Sequence, residues 1–366
     1  MRLIIKTIVL SGLIFSQGFL HVENGEIVDG SGNPVLLRGL GLGGWLVPEG
    51  YMLNIPGFGS PTEIENKIEA LLGTELANEF WDLYHDKYVA KADIDQIAAW
   101  GFNSIRIPFH YKQFSPSPGE VNQFGYDIVD SLLSWCEPYN MYIILDMHCA
   151  PGGQNHGEIS DSDGTARLWL EQDYKDHTIE IWHSIAEYYT DDTLIGGYDL
   201  INEPVLPDGV SSTDLRELYI DITNTIREVD TNHIVFIEGN WYATDFTSLT
   251  PPWDENMSYS FHKYWNDITQ GTIQYLINMG GTYDIHCGLA KQEKTQIIGA
   301  MKLFNFANLM ILAGTGGHIK NWKRLQVLFR LLLHPSTRIS LITGTAVAVS
   351  LAVYMPRLPF LVWQRI

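Results

Sequence analysis

Short apolar runs rich in β-branched residues alternate, over the first 285 positions, with longer stretches whose apolar residues recur at helical spacing. Val35 to Leu42, Ser104 to Ile107, Tyr142 to Leu145, Gly197 to Ile201, Ile234 to Ile237 and Ser258 to Phe261 read as strands. Gly125 to Cys136, Ala166 to Tyr189 and Thr213 to Val229 read as helices. Repetition of strand and helix is the order of a parallel sheet with crossover helices. Six such units precede residue 285, with no internal repeat and no low-complexity linker, so one domain is expected. Each predicted strand runs into polar or aromatic residues: Arg106 and His110, Asp146 and His148, Asn202 and Glu203, Glu238 and Trp241, His262 and Tyr264. Chemistry gathered at successive strand C-termini is how an α/β fold of the (β/α)8 TIM-barrel type builds a site, and that is the predicted fold class.

The N-terminus follows a different pattern. Arg2 and Lys6 precede an apolar run from Thr7 to Phe15, and Ser16-Gln17-Gly18 sets small residues around a cleavage point. That is the form of a secretory signal, so residues 1–18 are expected to be a leader and the product to be secreted, extracellular or periplasmic. A short membrane anchor is the competing reading, but the run is shorter than the roughly 20 residues a span needs.

Composition narrows the partners. With 23 Lys+Arg against 43 Asp+Glu the formal charge is -20, a field that repels phosphate and excludes nucleic acid and anionic lipid as partners. Cys136, Cys149 and Cys287 are too few and odd in number for a disulfide framework, and a chain of 366 residues buries enough core without one; they are expected to be buried thiols. No pair of His or Asp residues has helical ligand spacing with a third ligand nearby, so no metal is predicted.

The densest chemistry lies in Ile201-Asn202-Glu203-Pro204, where a carboxylate follows the apolar run of a buried strand and faces the barrel mouth. It gains specificity from Ile105-Arg106-Ile107-Pro108, Leu145-Asp146-Met147-His148 and Phe261-His262-Lys263-Tyr264 at other strand ends, and from Leu37-Arg38-Gly39-Leu40-Gly41-Leu42-Gly43-Gly44-Trp45-Leu46. In these five motifs, which occur in the family's order, the chain resembles glycoside hydrolase family 5, the cellulase and exo-β-glucanase family, over roughly residues 22–285. The resemblance implies a retaining O-glycosyl hydrolase acting on a β-glucan or related polysaccharide, with no cofactor. It makes Glu203 the acid/base, Asn202 the partner of the sugar 2-OH, Arg106 the cation that keeps the nucleophile ionised and Tyr264 the phenol that orients it. His148 and His262 match imidazoles that contact sugar or support the acid/base.

Other residues carry two readings each. Trp45, Trp241 and Trp265 are stacking platforms or core, and with 11 tryptophans either is open. Arg106 alone also reads as a structural salt-bridge former, and His110 and His156 as substrate contacts or as surface or satisfied core imidazoles. Asp146 is expected to support its neighbours by hydrogen bonds rather than react. Glu238 is the second carboxylate by spacing, but the family places its nucleophile on strand seven, so Glu238 is expected in the wall.

The pattern breaks after Ile285. The family continues there with a strand of the type P-L-W-x-G-E-x-G-E and later one of the type I-G-W-x-W-W, whereas this chain runs His286-Cys287-Gly288-Leu289-Ala290-Lys291-Gln292-Glu293-Lys294. Charge breaks at the same place: residues 1–285 carry 13 basic and 42 acidic side chains, net -29, and residues 286–366 carry 10 and 1, net +9. Back-translating Ile285 to Lys294 as ATC CAC TGT GGC TTG GCG AAA CAG GAG AAA and adding one C after ATC yields I-P-L-W-L-G-E-T-G-E. The same shift makes Met310 to Trp322 compatible with D-D-I-G-W-N-W-W-P-H-K-K-L and Gln326 to Arg338 with S-S-P-F-S-A-P-T-P-P-E-Y-Q. A one-base deletion at these codons is therefore expected, biological or introduced in sequencing. The domain plan is then a leader at 1–18, a barrel of six units at 19–285 and a frameshifted tail at 286–366. Strands seven and eight are lost or garbled, the nucleophile is missing, and the chain as written is expected to fold poorly and turn over little or nothing. Two competing readings are a catalytically dead carbohydrate-binding remnant or pseudogene product, and a membrane-anchored interaction protein. The second rests on the uncharged run Ile339 to Met355, flanked by Arg338 and Arg357, whose length is at the lower limit for a span. Linkage, endo or exo action and oligomeric state are not legible.

Overall fold

The computed structural model describes residues 18–53, 55, 59–263 and 269–291, with the backbone course alone for 289–291. Residues 1–17 of the expected leader, Tyr264, Trp265 and the run Ile339 to Met355 lie outside these residues.

An antiparallel hairpin, β1 (His21–Glu23) and β2 (Glu26–Val28), opens the described chain. Its turn is Asn24-Gly25, both at positive φ, the backbone that a two-residue hairpin of right-handed twist requires. A seven-stranded parallel sheet follows, its strands adjacent in chain order: β3 (Gly39–Gly41), β4 (Ser104–His110), β5 (Tyr142–Cys149), β6 (Ile195–Asp199), β7 (Val235–Glu238), β8 (Met257–His262) and β9 (His286–Lys291). Parallel neighbours require crossovers. These are α1 (Pro61–Leu72), α2 (Thr74–Tyr88) and α3 (Lys91–Ala99) before β4, α4 (Gln123–Cys136), α5 (Gln172–Tyr189), α6 (Ser212–Arg227), and α7 (Gln270–Tyr283) before β9. The architecture is a partial (β/α)8 barrel.

The six predicted strands are all present, with shifted bounds. The first is confined to Gly39–Gly41, and the fourth ends at Asp199, beyond which the Leu200 and Asn202 N–H groups still donate to the Phe236 and Met147 carbonyls at 3.0 and 3.1 Å. Helix α5 begins at Gln172, because Arg167–Trp169 forms a separate 3-10 turn whose Trp169 Nε1 donates to the Gln154 carbonyl at 2.8 Å. The hairpin and α1 to α3 were not anticipated. Nor was β9, which makes the sheet seven strands rather than six: it pairs with β8 from Ser258↔His286 to His262↔Lys291 and buries Cys287 against the core. Backbone pairing with β8 carries this strand.

Alternation along the strands sorts the side chains. Ile105, Ile107, Ile143, Leu145, Met147, Val235, Ile237, Tyr259 and Phe261 pack in the main core with residues of the helices. On the opposite face Tyr142, Ile144, Ile234 and Phe236 join Leu20, Ile27 and Leu37, so the β1–β2 segment packs into an apolar cluster at the N-terminal end of the strands. Further along that face the residues turn polar: Arg106, Asp146, His148, Glu238 and His262, all buried. An apolar floor under a polar mouth is the division that places chemistry at the strand C-termini. Gly197 permits the close approach of β6 to β7: at φ +146, a Cβ there would lie 2.4 Å from the Ile234 carbonyl oxygen. All three cysteines are buried and free, as expected.

Candidate active site

Arg106, in the middle of β4, is the hub. Its Nη1 meets Asp146 Oδ2 at 2.7 Å, its Nη2 meets Asp199 Oδ2 at 2.7 Å and Glu238 Oε1 at 2.9 Å, and its Nη2 also donates to Asn202 Oδ1 at 3.2 Å. Three buried carboxylates on one guanidinium set the electrostatics. Burial alone would lower the Arg106 pKa, but Asp146, Asp199 and Glu238 outweigh it and the group is held charged. Asp199 moves the other way, its pKa raised first by burial and then by the like charges of Glu238 and Asp146, against the pull of Arg106.

Glu203 stands just beyond β6, buried, at φ +47. That left-handed backbone is costly for a residue with a Cβ, and several contacts hold it there. The Glu203 N–H donates to Glu238 Oε2 at 2.7 Å, and Asn155 Nδ2 donates to the Glu203 carbonyl at 3.0 Å. Gln154 Nε2 donates to the carbonyls of His148 and Asn202, at 2.7 and 2.8 Å. The Glu203 carboxylate faces His262, with Oε1 2.5 Å from Nδ1. Burial opposes charge on His262, but Glu238 and Glu203 together raise its pKa. His148 is oriented by Asp146, Nδ1 to Oδ2 at 2.7 Å.

The structure thus unites Glu203, Asn202, Arg106, His148 and His262, and gives Asp146 the supporting role predicted for it. Glu238 lies beneath Glu203 with no exposure, tied to Arg106 and to the Glu203 amide. His110 serves the wall: its Nε2 meets Asp161 Oδ2 at 3.0 Å and its Nδ1 accepts from the Lys112 N–H at 3.2 Å, so both ring nitrogens are occupied and burial pushes its pKa down. Trp45 is core, 2% exposed, with Nε1 donating to the His85 carbonyl at 2.9 Å. Trp241 is 61% exposed on a run of three left-handed residues, Trp241 to Ala243, and the Tyr242 N–H donates to the Pro204 carbonyl at 3.3 Å. His156 is exposed and makes no part of the cluster. Tyr264 and Trp265 lie outside the described residues.

Sequence reasoning missed Asp199, Gln154, Asn155 and the pair of buried Glu49 and half-buried Tyr51, whose phenol donates to Glu49 Oε2 at 3.2 Å. Asp199 had a signal, a carboxylate inside an otherwise apolar strand. Gln154 and Asn155 follow Gly152-Gly153, both at positive φ, a turn that folds the two amides under the Asn202-Glu203 loop. Among the described residues no group of three or more His, Cys, Asp or Glu is placed to hold a metal ion, and no helix is long and apolar enough to cross a membrane.

At the C-terminal end of β9 the register sets Lys291 beside His262. A buried carboxyl at the mouth, hydrogen-bonded to an imidazole and flanked by an asparagine and an arginine, is equipped for proton transfer to and from a bound oxygen.

A family model described as cellulase (glycosyl hydrolase family 5) matches residues 62–323. The chain is 35% identical over 255 residues to a β-xylosidase of Phanerodontia chrysosporium, covering 68% of this chain and 52% of that one. It is 29% identical over 214 residues to a probable glucan 1,3-β-glucosidase A of Aspergillus fumigatus, covering 57% and 51%. The chain therefore spans about half the length of these relatives. Among solved structures it resembles rutinosidase from Aspergillus niger with a TM-score of 0.57 at 17% identity, covering 74% of this chain and 87% of that one, a likeness of fold.

Proposed function

The chain belongs to glycosyl hydrolase family 5, and from that premise we propose that its site is built to cleave the β-glycosidic bonds of a secreted enzyme's polysaccharide substrate, a β-glucan or a close relative. The observation that carries this reading is Glu203, held in a left-handed turn at the barrel mouth with Oε1 against His262 Nδ1 at 2.5 Å. In the intact ancestor Glu203 protonates the departing glycosidic oxygen while a carboxylate at the end of strand seven attacks the anomeric carbon. Water, deprotonated by Glu203, then releases the sugar with retained configuration. Asn202 lies beside Arg106 as a partner for the sugar 2-OH, and exposed Trp241 serves as a platform for a pyranose face.

In the chain as written the second carboxylate is absent from the end of β9, where Lys291 stands in register with His262. This favours a second reading for the translated product itself, a remnant that binds glycan without turnover. The deciding experiment is to sequence genomic DNA and transcript across the codons for Asp284 to Lys294, then assay the chain with and without one added C on β-glucans. Hydrolysis by the restored chain, abolished by Glu203→Gln, supports the enzyme reading. Binding without hydrolysis by both forms supports the remnant, and neither binding nor hydrolysis removes both readings.

A further inference from the structure

Glu238 makes more contacts than a wall residue needs. Its side chain has no exposure, and two donors and an imidazole nitrogen converge on it from three different strands or their loops. Arg106 Nη2 reaches Oε1 at 2.9 Å, His262 Nε2 lies 3.0 Å from the same oxygen, and the Glu203 N–H donates to Oε2 at 2.7 Å. Its own backbone is pinned by Tyr219, whose hydroxyl donates to the Glu238 carbonyl at 2.9 Å and accepts from the Glu238 N–H at 3.3 Å. A neutral imidazole has one N–H and one lone pair, and here a carboxyl faces each ring nitrogen of His262. The Glu238 oxygen that accepts from Arg106 is also the one 3.0 Å from Nε2, which favours the tautomer with a proton on that nitrogen.

We infer that Glu238 is a positioning residue: it fixes a proton on Nε2 of His262, leaves Nδ1 as the atom that shares a proton with Glu203 Oε1, and locks the Glu203 peptide in its left-handed turn. One proton then moves along the Nδ1···Oε1 contact. When it resides on Glu203, the acid is armed and His262 is neutral with Nε2–H on Glu238. When it resides on Nδ1, Glu203 is ionised beside an imidazolium that Glu238 balances. Among the described residues, the other titratable or charged groups packed around this unit are Arg106 from β4, Asp146 and His148 from β5, Asp199 from β6 and Tyr219 from α6, with Tyr51 and Tyr242 on the side of Glu203. Glu238 has no exposed surface, so it acts through His262 and the Glu203 amide.

The inference rests on the acid/base reading of Glu203, yet its test needs no turnover. The full chain, labelled with 15N-histidine, is titrated by NMR, with the His262 signals assigned by their loss in His262→Gln. The expected result is an Nε2 that stays protonated at every pH where the chain is folded, with only Nδ1 changing state. In Glu238→Gln the midpoint of that change shifts down, because a neutral amide replaces the balancing charge, and the Glu203 amide exchanges faster with solvent. An unprotonated Nε2 in the unaltered chain overturns the inference, as does an unshifted midpoint in a folded Glu238→Gln variant. If that variant does not fold, the unaltered chain decides alone. A restored chain that hydrolyses glucan through Glu203 while Nε2 is bare refutes the role of Glu238 only. A protonated Nε2 with no hydrolysis by the restored chain refutes the glycosidase reading only.

Discussion

Strands β4 to β8 and strand β9 lie in one sheet, but they meet the barrel mouth differently. From β4 to β8 each strand or the loop directly after it delivers a charged or imidazole group, and those groups bind one another: Arg106, Asp146 with His148, Asp199 with Glu203, Glu238, His262. At the end of β9 stands Lys291, in register with His262, where the resemblance calls for a carboxylate. Backbone hydrogen bonding tolerates nearly any small or apolar residue in a strand, so β9 extends the sheet although it ends in Lys291. Catalysis tolerates far less, because a double displacement needs a second carboxylate at a fixed separation from the first.

The sharpest way to break this contrast is to restore the frame. Adding one C after the Ile285 codon is expected to raise turnover of β-glucan by at least about 10⁴-fold over the chain as written, measured as reducing-sugar release. Equal activity of the two forms would show that β9 as it stands is sufficient.

Next in size is the loss of the hub. Arg106→Ala leaves Asp146, Asp199 and Glu238 buried without their cation, and is expected to destabilise the fold by about 3–5 kcal/mol in a denaturant melt. Arg106→Lys recovers only part of this, since one ammonium cannot reproduce contacts made by both arms of the guanidinium. A cost below about 1 kcal/mol for Arg106→Ala would mean that the network is a bystander.

A pH titration tests whether β9 docks on β8 as part of the cooperative fold. His286 Nδ1 lies 2.7 Å from Ser258 Oγ, and burial lowers its pKa from 6.5 to about 4. The folded state disfavours the charged imidazole, so its contribution is fully present above pH 6.5 and is lost as the pH falls toward 4. His286→Gln is expected to flatten the fall in stability across that window, leaving the parts due to His85, which burial also lowers to about 4, and to His110 and His177, which burial lowers as well. An unchanged slope, read by thermal melts at stepped pH, would detach β9 from the folding unit.

The smallest effect concerns the rim. Trp241→Ala, at a largely exposed site, is expected to change stability by less than about 0.5 kcal/mol. Glucan binding is expected to weaken by roughly two- to tenfold, by calorimetry or affinity electrophoresis. Unchanged binding would remove Trp241 from the substrate path.

Much of this was written locally. Asn202-Glu203 after an apolar run, Arg106 inside Ile-Arg-Ile-Pro and His262 after Ser-Phe each announce a strand end through a pattern a few residues long. Asn24-Gly25 was equally legible as a hairpin turn and went unread. Other features have no local signature. Asp199 reaches Arg106 across 93 positions and Glu203 reaches Glu238 across 35, because parallel strands bring their ends together however far apart they lie in the chain. For the same reason His110 and Trp45, indistinguishable by motif from functional residues, turned out to be satisfied by Asp161 and by the His85 carbonyl. Strand β9 depended on the free edge of β8, a partner that no window of sequence displays. Sequence alone determined the residue types and the strand ends that carry them, since periodicity and turn chemistry are short-range. Only the tertiary structure decided which carboxylates share a guanidinium and which imidazole meets Glu203, since those energies arise between groups that the chain separates and the sheet joins.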